Sequence, residues 1–260
     1  MGVLQEKMTW QIKKISKNKV KNPVLIEGLP GIGNVGKIAV DFLIDSLKAE
    51  KMFEVISNDL PHCVFVNEEN IVELPSIDIY GKQVNGKTLL MLAGDVQPMS
   101  EVSCYEFCNN VLDTFQKDKL QEIVTLGGIA LPKIPSKPKV HCTGNSKKIV
   151  AKYQGHGVQK NTQSFVGPII GVSGLLPGLA GKRKIPSAAL LAETFGHPNY
   201  LGVRGAKELL RVLNKELKLK LKVDILNDEM DTVEKELMNV HKIKKAIAMS
   251  SGPEATGKLS

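Results

Sequence analysis

The residues best placed to do chemistry lie in one stretch, Gly28-Leu29-Pro30-Gly31-Ile32-Gly33-Asn34-Val35-Gly36-Lys37-Ile38. Its Gly31-x-Gly33-x-x-Gly36 spacing falls between an apolar run at residues 24–26 and a helical pattern, the context that a dinucleotide fingerprint requires. Asp59, after the next apolar run, offers an acid for a ribose hydroxyl. The same residues also read Gly31-x-x-x-x-Gly36-Lys37, one residue short of a phosphate loop. Ile38 stands where a Ser or Thr oxygen must hold magnesium, and isoleucine has no oxygen to give. A glycine turn that opens a helix leaves backbone N–H groups facing outward, which favours anions. Glycines serve equally to let a strand, a helix or a second subunit approach closely. Gly31, Gly33, Gly36, Lys37 and Asp59 are therefore the binding residues of one reading, an enzyme that takes a nucleotide or phosphometabolite. Close packing is the other.

The remaining reactive side chains form no convincing constellation. His62-Cys63 and His141-Cys142 are adjacent pairs, and Cys104 and Cys108 share a helix face. Without a Cys-x-x-Cys pair, buried cysteine behaving as a small hydrophobe explains the helical two better than zinc does. Gly171-Val172-Ser173-Gly174-Leu175 misses a nucleophile elbow, because Leu175 replaces the final glycine. His156 and His197 each sit beside Gly or Pro in polar loops. Asp95 follows a strand, where chemistry often sits in parallel α/β sheets, but capping the next helix is its simpler use. No catalytic residue, metal or cofactor is expected.

The elements that must position these residues follow a recurring order of apolar run, glycine turn and amphipathic helix. Residues 24–26 lead through the glycine stretch to Val35, Ile38, Ala39, Phe42, Leu43 and Leu47 at i, i+3, i+4, i+7 spacing. Residues 89–93 end at Gly94-Asp95, ahead of a stripe of Cys104, Tyr105, Cys108, Val111, Leu112 and Phe115. Residues 123–126 end at Gly127-Gly128, and residues 188–192 precede Val203, Ala206, Leu209, Leu210, Leu213 and Leu217. Apolar strands without alternation, separated by amphipathic helices, predict a largely parallel sheet covered on both faces. Short runs at 55–57, 64–66 and 77–80 suggest antiparallel additions, with Asn85-Gly86 as a turn. The fold class is α/β in a single domain spanning 23–225, preceded by a basic segment at 1–22. Leu226, Met230, Val233, Leu237 and Val240 then form a seam of about two heptads on a helix over 226–248. That seam serves self-association or docking on its own domain. Small and polar residues mark 249–260 as a disordered tail.

Composition narrows the function classes. At 42% hydrophobic and 24% charged residues, the 260-residue chain can bury a core and is not disordered overall. Four cysteines are too few for a disulfide scaffold. The lysine-rich start has no apolar core of a signal peptide, and the uncharged stretch 161–181 is too rich in Gly and Pro for a membrane helix. A cytoplasmic protein without membrane contact is expected. The net charge of +8 is uneven: residues 123–192 hold ten Lys or Arg and no Asp or Glu. With few aromatics and no nucleic-acid-binding motif there, a solvated surface facing an acidic partner is favoured over nucleic acid.

Residues 23–37 resemble the opening of the proteasome assembly chaperone 2 family in its archaeal branch. Glu73-Leu74-Pro75, Ala93-Gly94-Asp95-Val96-Gln97-Pro98 and Thr125-Leu126-Gly127-Gly128 follow in order. Gly167-Pro168-Ile169-Ile170-Gly171-Val172-Ser173-Gly174-Leu175-Leu176 and Leu191-Ala192-Glu193-Thr194 complete the series. The resemblance implies a phosphorylase/hydrolase-like α/β sandwich without catalytic residues. It also implies a homo-oligomer that assembles proteasome core subunits without ATP. The motif loops Gly28, Pro30, Gly31, Gly33, Asn34, Gly36, Asp95, Gln97, Pro98, Gly127 and Gly128 would carry the shared surface. Family members that dock through a hydrophobic–Tyr–any ending are not matched by Lys258-Leu259-Ser260. Docking is then expected through folded surfaces or through a related subunit that bears the tripeptide.

Overall fold

The run at 24–26 shows no alternation because both sides of its strand are covered: β2 (Val24–Glu27) is buried at every position. In the computed structural model, which describes residues 9–159 and 167–226, β2 lies between β7 (Lys87–Gly94) and β8 (Glu122–Leu131). Beyond β8 comes β10 (Ser187–Phe195), and these four central strands are parallel. Antiparallel strands extend the sheet on either side. Those beyond β7 are β6 (Ile77–Val84), β3 (Glu50–Ser57) and β1 (Trp10–Lys14), and β9 (Val140–Gly144) lies beyond β10. The order is β1-β3-β6-β7-β2-β8-β10-β9. The expected parallel sheet is thus its central half, and the expected additions supply the rest. Asn85 and Gly86 both have positive φ, 50° and 77°, in the turn joining β6 to β7. That geometry suits the twist of a tight hairpin.

Two helical layers cover the sheet. On one face α1 (Val35–Leu47) packs beside α5 (Val203–Leu217), and on the other α2 (Glu101–Thr114) packs beside α4 (Val172–Lys182). A shorter helix, α3 (Lys147–Gln154), lies against β9. The stripe expected on α2 needs one correction. Tyr105 is exposed, and the buried side runs Cys104, Phe107, Cys108, Val111 and Leu112. Tyr105 follows Cys104 by one residue, about 100° around the helix, which turns it off that face.

The expected boundary at residue 22 also moves. Trp10, within the segment expected to precede the domain, is buried against Phe107 with ring centroids 4.9 Å apart. Its indole Nε1–H donates to Ser103 Oγ at 3.2 Å. The lysines around it are what an edge strand carries to discourage pairing with other chains. The chain divides into two compact units, 1–221 and 222–260, and the described part of the second holds a short 3₁₀ turn, Val223–Ile225. Met230, Val233, Leu237, Val240 and the tail at 249–260 lie outside the described residues. No helix among the described residues is long and apolar enough to cross a membrane.

Candidate functional site

The loops after β2 and β7, the end of β8 and the approach to α4 all open at the C-terminal edge of the parallel strands. Together they enclose a cleft of about 1050 Å³. Pro30 and Gly31 line it from the first loop, Gln97 and Pro98 from the second, Gly127 and Gly128 from β8, and Gly171 and Ser173 from the α4 approach. Segments distant in sequence, each singled out above, thus meet at one place. It is also the usual location of sites in open α/β sheets.

Three side chains, those of Glu27, Thr125 and Gln97, join these loops. Glu27, the last residue of β2, is fully buried. Its Oε1 accepts from the Leu29 backbone N–H at 3.0 Å, and its Oε2 from the Ser173 hydroxyl at 3.0 Å. Burial pushes the Glu27 carboxyl up to about 7, against the pull of those two hydrogen bonds. Thr125 Oγ1 donates to the Ser173 carbonyl at 2.6 Å, fixing the start of α4 over β8. Gln97 Nε2 donates to the Pro30 carbonyl at 2.9 Å, while its Oε1 accepts from the Val172 N–H at 3.4 Å. All three side chains are therefore occupied in holding the loops together. Sequence reasoning passed over Glu27 and weighed Ser173 only as the centre of an incomplete nucleophile elbow. The available signal was an acid ending a fully apolar run, directly before a glycine.

The glycines of the first loop are occupied in the same way. A Cβ on Gly28 would collide with the Gly36 carbonyl, one on Gly36 with the Leu126 carbonyl, and one on Gly128 with the Ile32 carbonyl. Gly33 has φ of 61° and accepts a 2.7 Å hydrogen bond from Gly202 N–H. Gly31 differs, since a Cβ there meets nothing within 4 Å. Asn34, with φ of 50°, bridges the loop to α1.

The five residues of the nucleotide reading are not brought together. Lys37 turns into a separate cavity of about 320 Å³, lined also by Asp45 and Asp78. There its ammonium lies 3.0 Å from Asp41 and 3.9 Å from Asp95. Carboxylates that surround a lysine repel a phosphate approaching it. Asp95 itself accepts from Ser76 N–H at 3.1 Å and Ser76 Oγ at 2.9 Å. Asp59 follows β3, which is three places from β2 in the sheet, whereas a dinucleotide fold needs that acid on the neighbouring strand.

The other candidates are also dispersed. His156 Nε2 pairs with Glu216 at 2.7 Å, and His197 Nδ1 accepts from Asn199 N–H while its ring stacks on Phe195. Cys63 is exposed and Cys142 buried, and no cluster of three metal-ligating groups occurs among the described residues. Cys104 and Cys108 share a hydrogen bond that, with burial, pushes the Cys108 thiol well above its ordinary value. Around the cleft the surface is apolar and open: Ile32, Met99, Val102, Tyr105 and Ile170 are all exposed, Ile170 at 89%.

Comparison with known proteins places this arrangement. A protein of Methanocaldococcus jannaschii is 30% identical over 239 residues, covering 92% of this chain and 88% of its own. Among solved structures, PbaB of Pyrococcus furiosus, described as an archaeal proteasome activator, is 28% identical with a TM-score of 0.82. It covers 90% of this chain and 99% of its own. PbaA of the same organism, an archaeal homolog of proteasome-assembly chaperone, is 26% identical with a TM-score of 0.76, over 93% of this chain and 95% of its own. The sequence pattern of the PAC2 family matches residues 25–241, and the chain belongs to that family.

Proposed function

We propose that this protein is a non-enzymatic chaperone-like scaffold for proteasome assembly, which acts on proteasome core subunits through its folded surfaces and without ATP. The observation that carries this reading is the cleft where the shared motifs meet. Its buried carboxyl, serine and glutamine hold loops together, and its rim offers exposed apolar side chains instead of reactive groups. A surface of that kind binds protein. The likeness to PbaA and PbaB supplies the class of partner. In this reading the protein is cytoplasmic and self-associates.

The test is a pull-down and interferometry titration of the full chain against recombinant proteasome α and β subunits, together with identification of what copurifies from native extract. Saturable binding to a core subunit, unchanged by ATP, is the expected result. Copurification of a different client, with no binding to either subunit class, would overturn the proteasome assignment.

A further inference from the structure

Two exposed apolar features lie on the same end of the molecule and match each other in charge. The first is a small hairpin, β4 (Phe65–Val66) paired with β5 (Val72–Glu73), inserted between β3 and β6. Val64, Phe65, Val66, Ile71, Val72 and Leu74 within it are all exposed, between 44% and 78%. A lone two-stranded hairpin is marginal in water. This one is held from within by Asn67, whose side chain accepts from Ile71 N–H at 3.0 Å and donates to Glu73 Oε1 at 2.8 Å. Its acids, Glu68, Glu69 and Glu73, are exposed as well.

The second feature is the cleft rim, where Met99 and Ile170 are 80% and 89% exposed. Directly beyond the lip formed by Ile129 and Ala130, the loop from β8 to β9 carries exposed Lys133, Lys137 and Lys139 beside exposed Ile134. An apolar arm with acidic residues thus has its complement in an apolar cleft with lysines just beyond its β8 lip, the cleft's one acid among the described residues, Glu101, lying at the start of α2. Among the described residues these six side chains of the arm stay between 44% and 78% exposed, and apolar patches so exposed mark contact surfaces.

We propose that the hairpin of one copy seats in the cleft of a second copy, with Glu68 and Glu69 facing the lysines of that copy's lip. This inference rests on the self-association included in the function proposed above. An exchange of this kind closes as a two-fold dimer when reciprocal and as a ring when it runs head to tail.

The test uses the full chain with two single-sided variants, Val66→Asp with Val72→Asp on the arm and Ile170→Asp on the cleft. All three positions are largely exposed, so thermal unfolding should match the wild type. In sedimentation velocity each variant should self-associate about thirtyfold more weakly, the loss of one contact anchor. An equimolar mixture of the two should re-form complexes, because an intact arm then meets an intact cleft. Lys133→Glu with Lys137→Glu should likewise be rescued by Glu68→Lys with Glu69→Lys on the partner copy.

A monomeric wild type, an unchanged mass in either variant, or a mixture that stays dissociated would overturn the proposal. If the arm variant keeps its mass but loses proteasome-subunit binding, the arm is a client contact. That outcome overturns the exchange and leaves the proposed function standing. If instead only deletion of residues 227–260 lowers the mass, the C-terminal seam holds the copies together, and the exchange is again overturned.

Discussion

Burying a carboxyl among apolar side chains disfavours its ionised form, and among the described residues no cation offsets the burial of Glu27. Its folded value is raised from an ordinary 4.5 to about 7. Between those two pH values the folded chain keeps a proton that the unfolded chain has lost, so stability falls as pH rises through that window and stays lower above it. At about 1.36 kcal/mol per pH unit the whole fall comes to about 3 kcal/mol. The protonated acid can donate to Ser173 Oγ, which in turn can donate to the Leu126 carbonyl 3.3 Å away. A glutamine reproduces that neutral arrangement, its amide NH₂ facing Ser173 and its oxygen keeping the Leu29 N–H. Glu27→Gln should therefore flatten the profile, and its urea-unfolding free energy should gain about 3 kcal/mol on the wild type between pH 4 and pH 8. A constant difference between the two proteins across that range would mean that the Glu27 carboxyl titrates alike in the folded and the unfolded chain.

Among the elements, the strand–turn–helix unit from β2 to α1 tests what its glycines are for. Gly36 sits where a Cβ would strike the Leu126 carbonyl, so Gly36→Ala should cost about 1–3 kcal/mol by overpacking. Gly31 is extended, with φ of −162°, and open, so Gly31→Ala should stay within about 0.5 kcal/mol. Neither NAD(H), NADP(H), ATP nor GTP at millimolar concentration should raise the melting temperature. A ligand at about 100 times its dissociation constant would add about 2.7 kcal/mol, readily seen as a shift. A clear shift would return the loop to anion binding. The unit was legible in the sequence because its periods were clean: a buried run, then i, i+3, i+4 spacing. The use of its glycines was not, since a nearby carbonyl and a bound phosphate both require the absence of a Cβ. Asp41, four residues from Lys37 on the same helix, hinted that the lysine was already paired. Asp95 reaches it only through the fold. Trp10 was lost among lysines, because an edge strand with one buried face offers too few apolar positions for a pattern. The hairpin was read as strand, but nothing in Val64-Phe65-Val66 distinguished an exposed ribbon from a core one.

Over the whole molecule, the described cations of residues 123–192 do not gather on one face. Lys133, Lys137 and Lys139 lie beside the cleft, while Lys182, Arg183 and Lys184 lie at the opposite edge, where the parallel strands begin. At that edge exposed Lys17, Lys19, Lys21, Lys87, Lys117, Lys119, Lys218 and Lys220 join them. Several acids of the same edge are already engaged: Asp113 by Arg183, and Glu122 and Glu216 by Lys152. The edge is therefore strongly cationic, and copies joined arm to cleft turn it outward. Exposed lysines contribute little to contact energy, but their combined field steers an acidic partner over the Debye length, about 8 Å at physiological salt. Changing Lys117, Lys119, Lys182 and Lys184 to Gln should leave the oligomeric mass unaltered. The same variant should slow association with the copurifying subunit several-fold at low salt, with dissociation nearly constant and the difference fading as salt rises. Interferometry at two ionic strengths measures both rates. A lower oligomeric mass would make this edge the contact between copies. Equal association rates at both salts would reduce it to a solubilising surface that takes no part in recognition.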